Sequence, residues 1–415
     1  MNLLRRPAYV RFWVADTVSM FGTHVTTLAL QVLAVVTLQA SATWVGVLNA
    51  SRWVPYLLFG LVAGVLVDRY RRRPVLVGAD LARAALLGLI PLLAALDRLT
   101  MPVLVAVVGV FGALSLLYDA AHQSYLPRLV PRELLTRANA RMEQAAAVAQ
   151  TTGPMLAGFM VKAFGAPLAI LVDAASYLVS GLVLARLRVD EPAPGPPEQR
   201  DLRRELREGL AWVYRHRTLG PLALNSHAWF LFNSMVTTVY VVFVVDGLGM
   251  NAFALGVTYA CAGVGSLLGA SAAGRAARLV GAGPAIIAMR WLLPFGYAMV
   301  PLAGRGTGGL VLLCAAQFVF GVTIGVDSPI EMGYRQAVTP DHLQGRMNAT
   351  MRSLNRGAVV VGAPLGGVLA DHLGARPALW IPVAGLAAVA LWLTLSPFRL
   401  LRGPLGDHQP LESSA

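Results

Sequence analysis

The feature that most constrains the fold is a succession of apolar runs, each about 20 residues long, that follow one another along nearly the whole chain. Runs of this length are long enough to cross the hydrocarbon core of a bilayer as helices. Hydrophobic residues make up 56% of the chain and charged residues only 13%, against roughly 25% in soluble domains. The sequence therefore predicts an all-α membrane protein of twelve transmembrane helices. The predicted spans cover about 10–38, 44–67, 74–96, 101–123, 142–164, 166–187, 218–246, 252–275, 284–303, 308–331, 348–371 and 377–397.

The placement of arginine predicts the orientation. The net charge of +13 comes almost entirely from arginine, and most of it lies in the two chain ends, the even-to-odd loops and the linker between the halves. Cytoplasmic loops of membrane proteins carry an excess of Lys and Arg, so we expect both termini in the cytoplasm and the protein in the bacterial inner membrane. The membrane accounts for the basic charge, and we expect no nucleic-acid partner. The intervening loops hold only Arg98, Lys162, Arg305 and Arg376.

A polar segment divides the chain into two halves. Prolines between Val189 and Pro197 predict a stiff linker, and Leu202, Leu206, Leu210 and Val213 follow at helical spacing beside arginines. This pattern is typical of an amphipathic helix on the cytoplasmic leaflet, which either responds to anionic lipid or only fixes topology. The predicted divisions are a six-helix half at 1–187, the linker at 188–217, a second six-helix half at 218–397 and a cytoplasmic tail at 398–415.

The two halves are a repeat at an offset of 209 residues. Six spans in each half make the repeat parallel, and transporters built this way bind substrate between the halves near the midplane. The segment Pro131, Leu134, Arg137, Asn139 and Ala140 corresponds to Pro340, Leu343, Arg346, Asn348 and Ala349, and Gly153, Leu156, Gly158 and Gly165 correspond to Gly362, Leu365, Gly367 and Gly374.

The loop between the second and third predicted spans carries a particular signature. It consists of Gly64, Asp68, Arg69, Arg72 and Arg73 in the pattern Gly-x-x-x-Asp-Arg-x-x-Arg-Arg. Its charge alone is that of an ordinary positive-inside loop, but the spacing resembles the loop signature of the major facilitator superfamily. The resemblance implies two parallel six-helix halves and a conformational role for the loop. From its position at a helix end beside arginines, we predict that Asp68 pairs with them and caps a helix of the second half near Asn348, and so clamps the two halves in one conformation.

Two further patterns resemble exporters of that superfamily. The first is the pair of segments that begin at Pro131 and Pro340, together with the run Leu57–Gly64, and it resembles the branch of macrolide-type drug and siderophore exporters. The second resembles in part a signature of proton-linked exporters; it lies in the fifth and eleventh predicted spans, where small residues let helices touch and proline bends the helix. This second pattern is typical of helix packing in any membrane protein, and the resemblance adds that it seals the transport pathway. Its residues are Gly153, Pro154, Gly158, Gly362, Pro364, Gly366 and Gly367.

Ionisable residues inside a span cost about 2.5–3.5 kcal/mol near its centre and are therefore candidates for function. Asp16 begins a polar stripe on the first span that continues through Thr23 and Thr27, with His24 beside it. Asp16 is our first candidate for proton coupling, and the stripe predicts a cavity lining. In the alternatives, Asp16 reaches water at the cytoplasmic end and His24 is a packing residue. The offset adds Asn225 and Asn233 to the predicted lining.

A second polar group closes the fourth and tenth spans. Asp119 and His122 end the fourth, Asp327 and Glu331 end the tenth, and the offset maps His122 onto Glu331. The carboxylates Asp119, Asp327 and Glu331 are further candidates for proton coupling at a cytoplasmic gate. They are alternatively counter-charges to nearby arginines, with Arg52, Arg290, Arg352 and Arg356 as the available partners.

The sequence lacks the phosphate-binding loop of ATPases, metal-ligand spacing and a nucleophile–base set, so we expect neither an enzyme nor a cofactor. The patterns predict a monomeric secondary transporter that exports a small, partly hydrophobic molecule such as a drug, natural product or siderophore in exchange for protons. The rivals are a metabolite importer of the same fold and a membrane scaffold or sensor that does not transport. The two cysteines, Cys261 and Cys314, are predicted to be packing residues.

Overall fold

The computed structural model describes residues 3–68, 70–187 and 202–400. Within these ranges the chain is helical almost throughout, which confirms the prediction of an all-α membrane protein. The α-helices of the described residues are α1 (Pro7–Val32), α2 (Ala42–Ser51), α3 (Val54–Asp68), α4 (Arg72–Ala95), α5 (Met101–Leu129), α6 (Leu135–Phe164), α7 (Ala166–Arg186), α8 (Leu202–Arg215), α9 (Leu219–Val242), α10 (Ala252–Val280), α11 (Ala282–Leu302), α12 (Thr307–Val338), α13 (Asp341–Leu373) and α14 (Ala375–Leu395).

Ten helices among the described residues are long and apolar enough to cross a membrane. The two remaining predicted spans are also helical, which is consistent with twelve. The span at 44–67 consists of two shorter helices, α2 and α3, and the span at 142–164 is the second part of α6. Helix α6 begins at Leu135, before the predicted span, and within the span Gln150, Thr151, Thr152 and Pro154 make it less apolar than the other spans.

The break between α2 and α3 follows from Pro55. Proline has no backbone N–H and its ring clashes with the carbonyl four residues earlier, which here belongs to Ser51, the last residue of α2. Gly112 of α5 lies against the break, where a Cβ atom would be 2.3 Å from the Arg52 carbonyl oxygen. The corresponding helix of the second half, α10, runs unbroken from Ala252 to Val280.

The described chain forms two compact units with the same internal packing. The first comprises the described residues of 3–187 and 250–260, and the second comprises those of 202–249 and 261–400. In the first, α1 packs on α6 and α7, and α4 packs on α5 and α7; in the second, α9 packs on α13 and α14, and α11 packs on α12 and α14. The sequence repeat is therefore a repeat of helix packing.

Two backbone details of the first half recur in the second. Gly165 joins α6 to α7 at φ +81°, and Gly374 joins α13 to α14 at φ +87°. Glycine adopts this left-handed conformation at no steric cost. Helices α1 and α9 each end in a π-helical turn, at Leu33–Thr37 and Phe243–Gly247.

Aromatic residues anchor the core of each unit. Tyr9, Phe12 and Tyr125 are buried together with neighbouring leucines in the first unit. In the second, Tyr334 and Phe398 are buried in a cluster with Ile286 and Ile330. Large apolar side chains on the outside, such as Leu58 and Phe295, suit contact with lipid.

Helix α8 lies in the polar segment that follows the prolines, while residues 188–201 lie outside the described chain. It packs on α13 and α9. Val213 is fully buried in a small cluster with Leu219 and Met347, and Glu208 forms an ion pair with Arg346 of α13. A role of α8 at the lipid surface stays a prediction.

Candidate functional site

A contact between an acidic and a basic side chain joins α1 to α5 in the first unit. Asp16 is 7% exposed, and its Oδ1 atom lies 3.1 Å from Nε2 of His122. The His122 ring stacks on Phe12 with ring centroids 5.1 Å apart, which fixes its orientation. The structure thus brings together two residues that the sequence analysis placed in separate groups, and the pair can hold a proton on either partner.

A buried arginine on α4 forms the second polar cluster of this unit. Arg83 makes an ion pair with Asp80 one turn earlier, and its guanidinium lies between two aromatic rings, 4.1 Å from the centroid of Tyr118 and 4.3 Å from that of Tyr177. Ser180 of α7 donates a hydrogen bond of 2.7 Å to Asp80 Oδ2. The cluster balances its charge inside the bundle and ties α4 to α5 and α7.

Asp173 of α7 is a buried carboxyl group that forms no ion pair with a described residue. It is 0% exposed, and Ser176 donates to its Oδ1 atom at 2.9 Å. Gly22 of α1 makes room for it, since a Cβ atom there would lie 2.1 Å from Asp173 Oδ1. An ionised carboxylate is costly in such surroundings, so Asp173 differs in kind from the paired Asp80.

The remaining carboxylate of the fourth span pairs with a tyrosine. The Tyr56 hydroxyl donates to Asp119 Oδ2 at 2.6 Å. At the break before α3, Arg52 donates to the Thr27 hydroxyl at 3.1 Å and lies 5.5 Å from the centroid of the Trp53 ring. These contacts join the broken second span to α1 and α5.

The other polar residues of the first helix divide between the protein interior and its surface. The Thr23 hydroxyl is 2.9 Å from the Tyr177 hydroxyl, whereas Thr27 is exposed. His24 is half-buried and lies against Gly153 of α6, where a Cβ atom would be 2.9 Å from the His24 Cβ. The predicted role of the stripe in lining a cavity stays a prediction.

In the second unit, one arginine joins both predicted gate carboxylates. Nη2 of Arg290 on α11 lies 2.9 Å from Asp327 Oδ2 and 2.7 Å from Glu331 Oε2. Arg290 is 5% exposed, and its guanidinium lies 5.5 Å from the centroid of the Trp229 ring. Of the four arginines that the sequence offered as partners, the structure assigns Arg290 to these carboxylates.

Glu331 is the centre of a wider network. It accepts a hydrogen bond from Ser226 of α9 at 2.9 Å and lies 3.6 Å from Arg335 Nη1, one turn further along α12. Arg335 in turn donates to Asn348 Oδ1 of α13 at 3.0 Å. The network around Glu331 therefore connects helices α9, α11, α12 and α13 of the second unit.

The two asparagines predicted to line a cavity are held by direct hydrogen bonds. Asn225 is 0% exposed and donates to the Val389 carbonyl of α14 at 2.8 Å. Asn233 accepts from the Tyr297 hydroxyl at 2.6 Å. Both geometries are those of packed polar residues, and their contact with substrate stays a prediction.

A chain of polar side chains that the sequence analysis did not single out links α8, α9 and α13. The Tyr214 hydroxyl is 2.8 Å from His227 Nε2, and His227 Nδ1 is 2.6 Å from Asn355 Oδ1. His227 is an ionisable residue inside the predicted span at 218–246, two residues from Asn225. The reasoning that makes Asp16 a candidate therefore applies to His227 as well.

His216 lies at the junction of α8 and α9, before the membrane span. Its Nδ1 atom accepts hydrogen bonds from the backbone N–H groups of Thr218 at 3.4 Å and Leu219 at 3.1 Å, which would otherwise be unsatisfied at the start of α9. Burial lowers the pKa of His216, which favours the neutral ring that can accept. On α8, the hydrogen bond from Arg204 lowers the pKa of Glu208.

The small residues of α6 and α13 bring backbones into contact. A Cβ atom at Gly158 would lie 2.6 Å from the Ala252 carbonyl oxygen, and one at Gly256 would lie 2.5 Å from that of Pro154. In α13, a Cβ atom at Gly362 would lie 2.3 Å from the Leu231 carbonyl oxygen of α9, and one at Gly366 would lie 2.7 Å from the Met235 Cα. Pro364 lies inside α13 and Gly367 is buried. The sealing role of these residues stays a prediction.

The loop signature is described only in part. Arg69 lies outside the described residues, and of Gly64 and Asp68 only the helical backbone is described. Arg72 begins α4. Arg73 donates to the backbone carbonyls of Leu184 and Ala185 at the end of α7, so one loop arginine fastens α4 to α7.

The chemistry of these clusters is that of charge pairs and proton-binding groups. Among the described residues, no group of three or more His, Cys, Asp or Glu side chains is placed to hold a metal ion.

Comparison with known proteins agrees with this geometry. The family model described as transmembrane secretion effector, within the major facilitator superfamily, matches residues 1–410. The multidrug efflux pump Tap of Mycolicibacterium fortuitum is 28% identical over 354 residues, covering 82% of this chain and 84% of the relative. Macrolide efflux protein A of Streptococcus pyogenes is 20% identical over 387 residues, covering 92% and 94%.

Solved structures show the same fold. The crystal structure of the nucleoside transporter NupG superposes with a TM-score of 0.75 at 11% identity, covering 94% of this chain and 98% of that one. A bacterial homologue of the iron transporter ferroportin, in its inward-facing state, superposes with a TM-score of 0.72 at 14% identity, and the match covers 95% of this chain and 98% of that one. The chain is therefore a membrane transporter and not an enzyme, and it belongs to the transmembrane secretion effector family of the major facilitator superfamily.

Proposed function

We propose that the protein exports small, partly hydrophobic molecules, such as drugs, natural products or siderophores, in exchange for protons and by alternating access. It acts as a monomer in the bacterial inner membrane with both termini in the cytoplasm. Relatives over most of the chain are a multidrug efflux pump and a macrolide efflux protein, which supports the direction and the class of substrate. The concentration of arginine in the predicted cytoplasmic loops supports the orientation.

The observation that carries proton exchange is the contact between Asp16 and His122 within membrane-spanning helices. A buried ionisable group is expensive and is retained where it has a task. A proton that binds Asp16 neutralises the carboxylate and removes its attraction for a protonated His122. The α1–α5 contact then weakens, so one conformation is favoured with the proton and another without it.

Asp327 and Glu331 are the second candidates for coupling. They share the Arg290 guanidinium, so protonation of either carboxyl group redistributes the charge of α11 and α12. Asp119, hydrogen-bonded to Tyr56, is the third. Their partners suit a structural role equally well, which is why Asp16 remains first.

Inverted membrane vesicles test the proposal. Vesicles from cells that express the protein are energised with lactate, which acidifies their interior, and uptake of a radiolabelled macrolide is measured. We expect accumulation above that of vesicles without the protein, and nigericin should abolish it by collapsing the proton gradient. Equal uptake with and without the protein, for macrolides, dyes and siderophores alike, would contradict export.

A further inference from the structure

Helices α10 and α12 of the second unit touch through their backbones in a regular series. A Cβ atom at Gly265 would lie 2.2 Å from the carbonyl oxygen of Phe318, and one at Gly269, one turn later, would lie 2.5 Å from that of Val322. Both pairs differ by 53 residue numbers, so the two helices run parallel and advance together. Glycines on α12 continue the contact from the other side, because Gly321 meets the carbonyl of Ala262 in the same way.

The same series, extended one turn toward the helix starts, pairs Cys261 with Cys314. These positions again differ by 53, and they are the two cysteines of the whole sequence. Both are free and half-buried, and the Cys261 thiol is the side-chain neighbour of the Cys314 thiol. Because the backbones touch one turn away, we expect the two α-carbons to lie within the roughly 4.4–6.8 Å that a disulfide requires.

We propose that Cys261 and Cys314 form a dithiol site that a small, membrane-permeable organic disulfide oxidises to an intramolecular disulfide, cross-linking α10 to α12. The thiolate of one cysteine attacks a sulfur of the reagent, forms a mixed disulfide and releases one reagent thiolate. The second cysteine, as its thiolate, attacks the protein sulfur of that mixed disulfide and releases the other reagent thiolate. Two protein thiols lose their protons and are oxidised, and the reagent is reduced to two thiols.

The cross-link has a mechanical consequence, which rests on the proposed transport function. Glycines let the two helix backbones approach each other closely, so the register of α10 against α12 is set by backbone contacts. A disulfide one turn from Gly265 fixes the register of α10 against α12. We therefore expect oxidation to slow transport and reduction by dithiothreitol to restore it.

The first test measures the chemistry without transport. The purified protein in detergent is treated with 4,4′-dithiodipyridine, digested and analysed by mass spectrometry. We expect a peptide pair that joins Cys261 to Cys314 and a whole-chain mass lower by two hydrogens, with no retained pyridylthio group. Two retained pyridylthio groups per chain, or cross-links between chains, would overturn the proposal.

Two variants control for position. Cys314→Ser should retain a single pyridylthio group on Cys261, because the resolving thiol is absent. Cys314→Ser with Leu312→Cys keeps two thiols but moves one to another face of α12, and it should retain two groups. An intramolecular disulfide in the second variant would show that the pairing does not depend on the helix register and would contradict the proposal.

The second test measures macrolide uptake in inverted vesicles before and after the same treatment. We expect a loss of rate in the wild type that dithiothreitol reverses, and no loss in Cys261→Ser. An unchanged rate in protein that mass spectrometry shows to be cross-linked would overturn the regulatory part. Absence of uptake before treatment would instead count against the proposed function, while the chemical test would still decide the site.

Discussion

Asp16 Oδ1 lies 3.1 Å from His122 Nε2, and a related contact recurs in the second unit. The offset of 209 carries His122 onto Glu331 and Asp16 onto Asn225, and Ser226, the next residue, donates to Glu331 at 2.9 Å. Each unit thus joins its first helix to the helix of its fourth span at the same place. In the first unit this contact joins a carboxylate to an imidazole, whereas in the second it joins a carboxylate to a serine hydroxyl.

The first prediction concerns coupling. Asp16→Asn should abolish uphill, proton-driven efflux and leave downhill exchange of substrate near the wild-type rate, because an amide keeps the shape of the carboxyl group but does not titrate. Inverted vesicles with an imposed pH gradient measure the uphill rate, and counterflow without a gradient measures exchange. If Asp16→Asn still accumulates substrate against a gradient, coupling lies elsewhere and Asp327, Glu331 and Asp119 are the next residues to test.

The second prediction compares two fully buried carboxyl groups of the first unit. Asp80→Asn leaves the Arg83 guanidinium buried without its counter-charge, which should cost about 3–5 kcal/mol of stability. Asp173→Asn removes no ion pair of this kind, and Ser176 can donate to the amide oxygen, so we expect a cost of about 1 kcal/mol or less. Thermal unfolding in detergent, followed by tryptophan fluorescence, measures both. Equal losses would contradict the contrast between paired and unpaired carboxyl groups.

Much of the fold could be predicted from the sequence because its determinants are local. The length of each apolar run predicts a transmembrane span. The offset of 209 residues predicts the repeat, including the equivalence of the glycines Gly165 and Gly374. The broken second span was missed, although Pro55 marks it. Proline hardly changes the mean hydropathy of an apolar run, so hydropathy alone predicts one helix there and does not show the break.

The polar clusters could be predicted only in part. Asp327 and Glu331 were singled out, but their partner Arg290 comes from another helix, and pairing between helices depends on rotation that hydropathy does not give. Asp80 and Asp173 were missed, although both are ionisable residues inside predicted spans and the rule that selected Asp16 applies to them. The Asp80–Arg83 pair lies within one helix at a spacing of three, so it was readable in the sequence.

The third prediction tests the glycine contacts of α10 and α12. Gly321→Ala would place a Cβ atom 1.9 Å from the Ala262 carbonyl oxygen, and backbone atoms cannot move aside as a flexible side chain can. We expect a loss of about 1–3 kcal/mol. Gly308→Ala, in the same helix with no atom within 4 Å of the added Cβ, is the matched control and should be neutral or slightly stabilising. Equal melting temperatures for both variants would refute the contact.

The fourth prediction concerns topology. In a background that carries Cys261→Ser and Cys314→Ser, Gly195→Cys should resist a membrane-impermeant maleimide in intact spheroplasts and react in inverted vesicles, because the arginine distribution predicts a cytoplasmic linker. Gly304→Cys, in the connection between α11 and α12, should behave in the opposite way. Ready labelling of Gly195→Cys in intact spheroplasts would reverse the proposed orientation.

The fifth prediction concerns the pH dependence of the start of α9. Burial lowers the pKa of His216, so the folded state favours the neutral ring. The stabilisation is therefore fully present above the ordinary pKa of histidine, about 6.5, and is lost as the pH falls through the lowered pKa of the folded state. Protonation removes the acceptor at Nδ1 that holds the N–H groups of Thr218 and Leu219. Hydrogen exchange at these amides, corrected for the intrinsic effect of pH, should show protection that declines in acid.

His216→Ala separates the cap from a general acid effect. It lacks the acceptor at every pH, so exchange at Thr218 and Leu219 should be fast and independent of pH after the same correction. Loss of an N-terminal cap costs about 0.5–2 kcal/mol, which corresponds to a several-fold rise in the exchange rate of these amides. The amides of Gly304 and Gly306, which lie far from any histidine in sequence, serve as the reference. If protection at Leu219 in the wild type does not change between neutral and acidic pH, the neutral His216 ring does not cap α9.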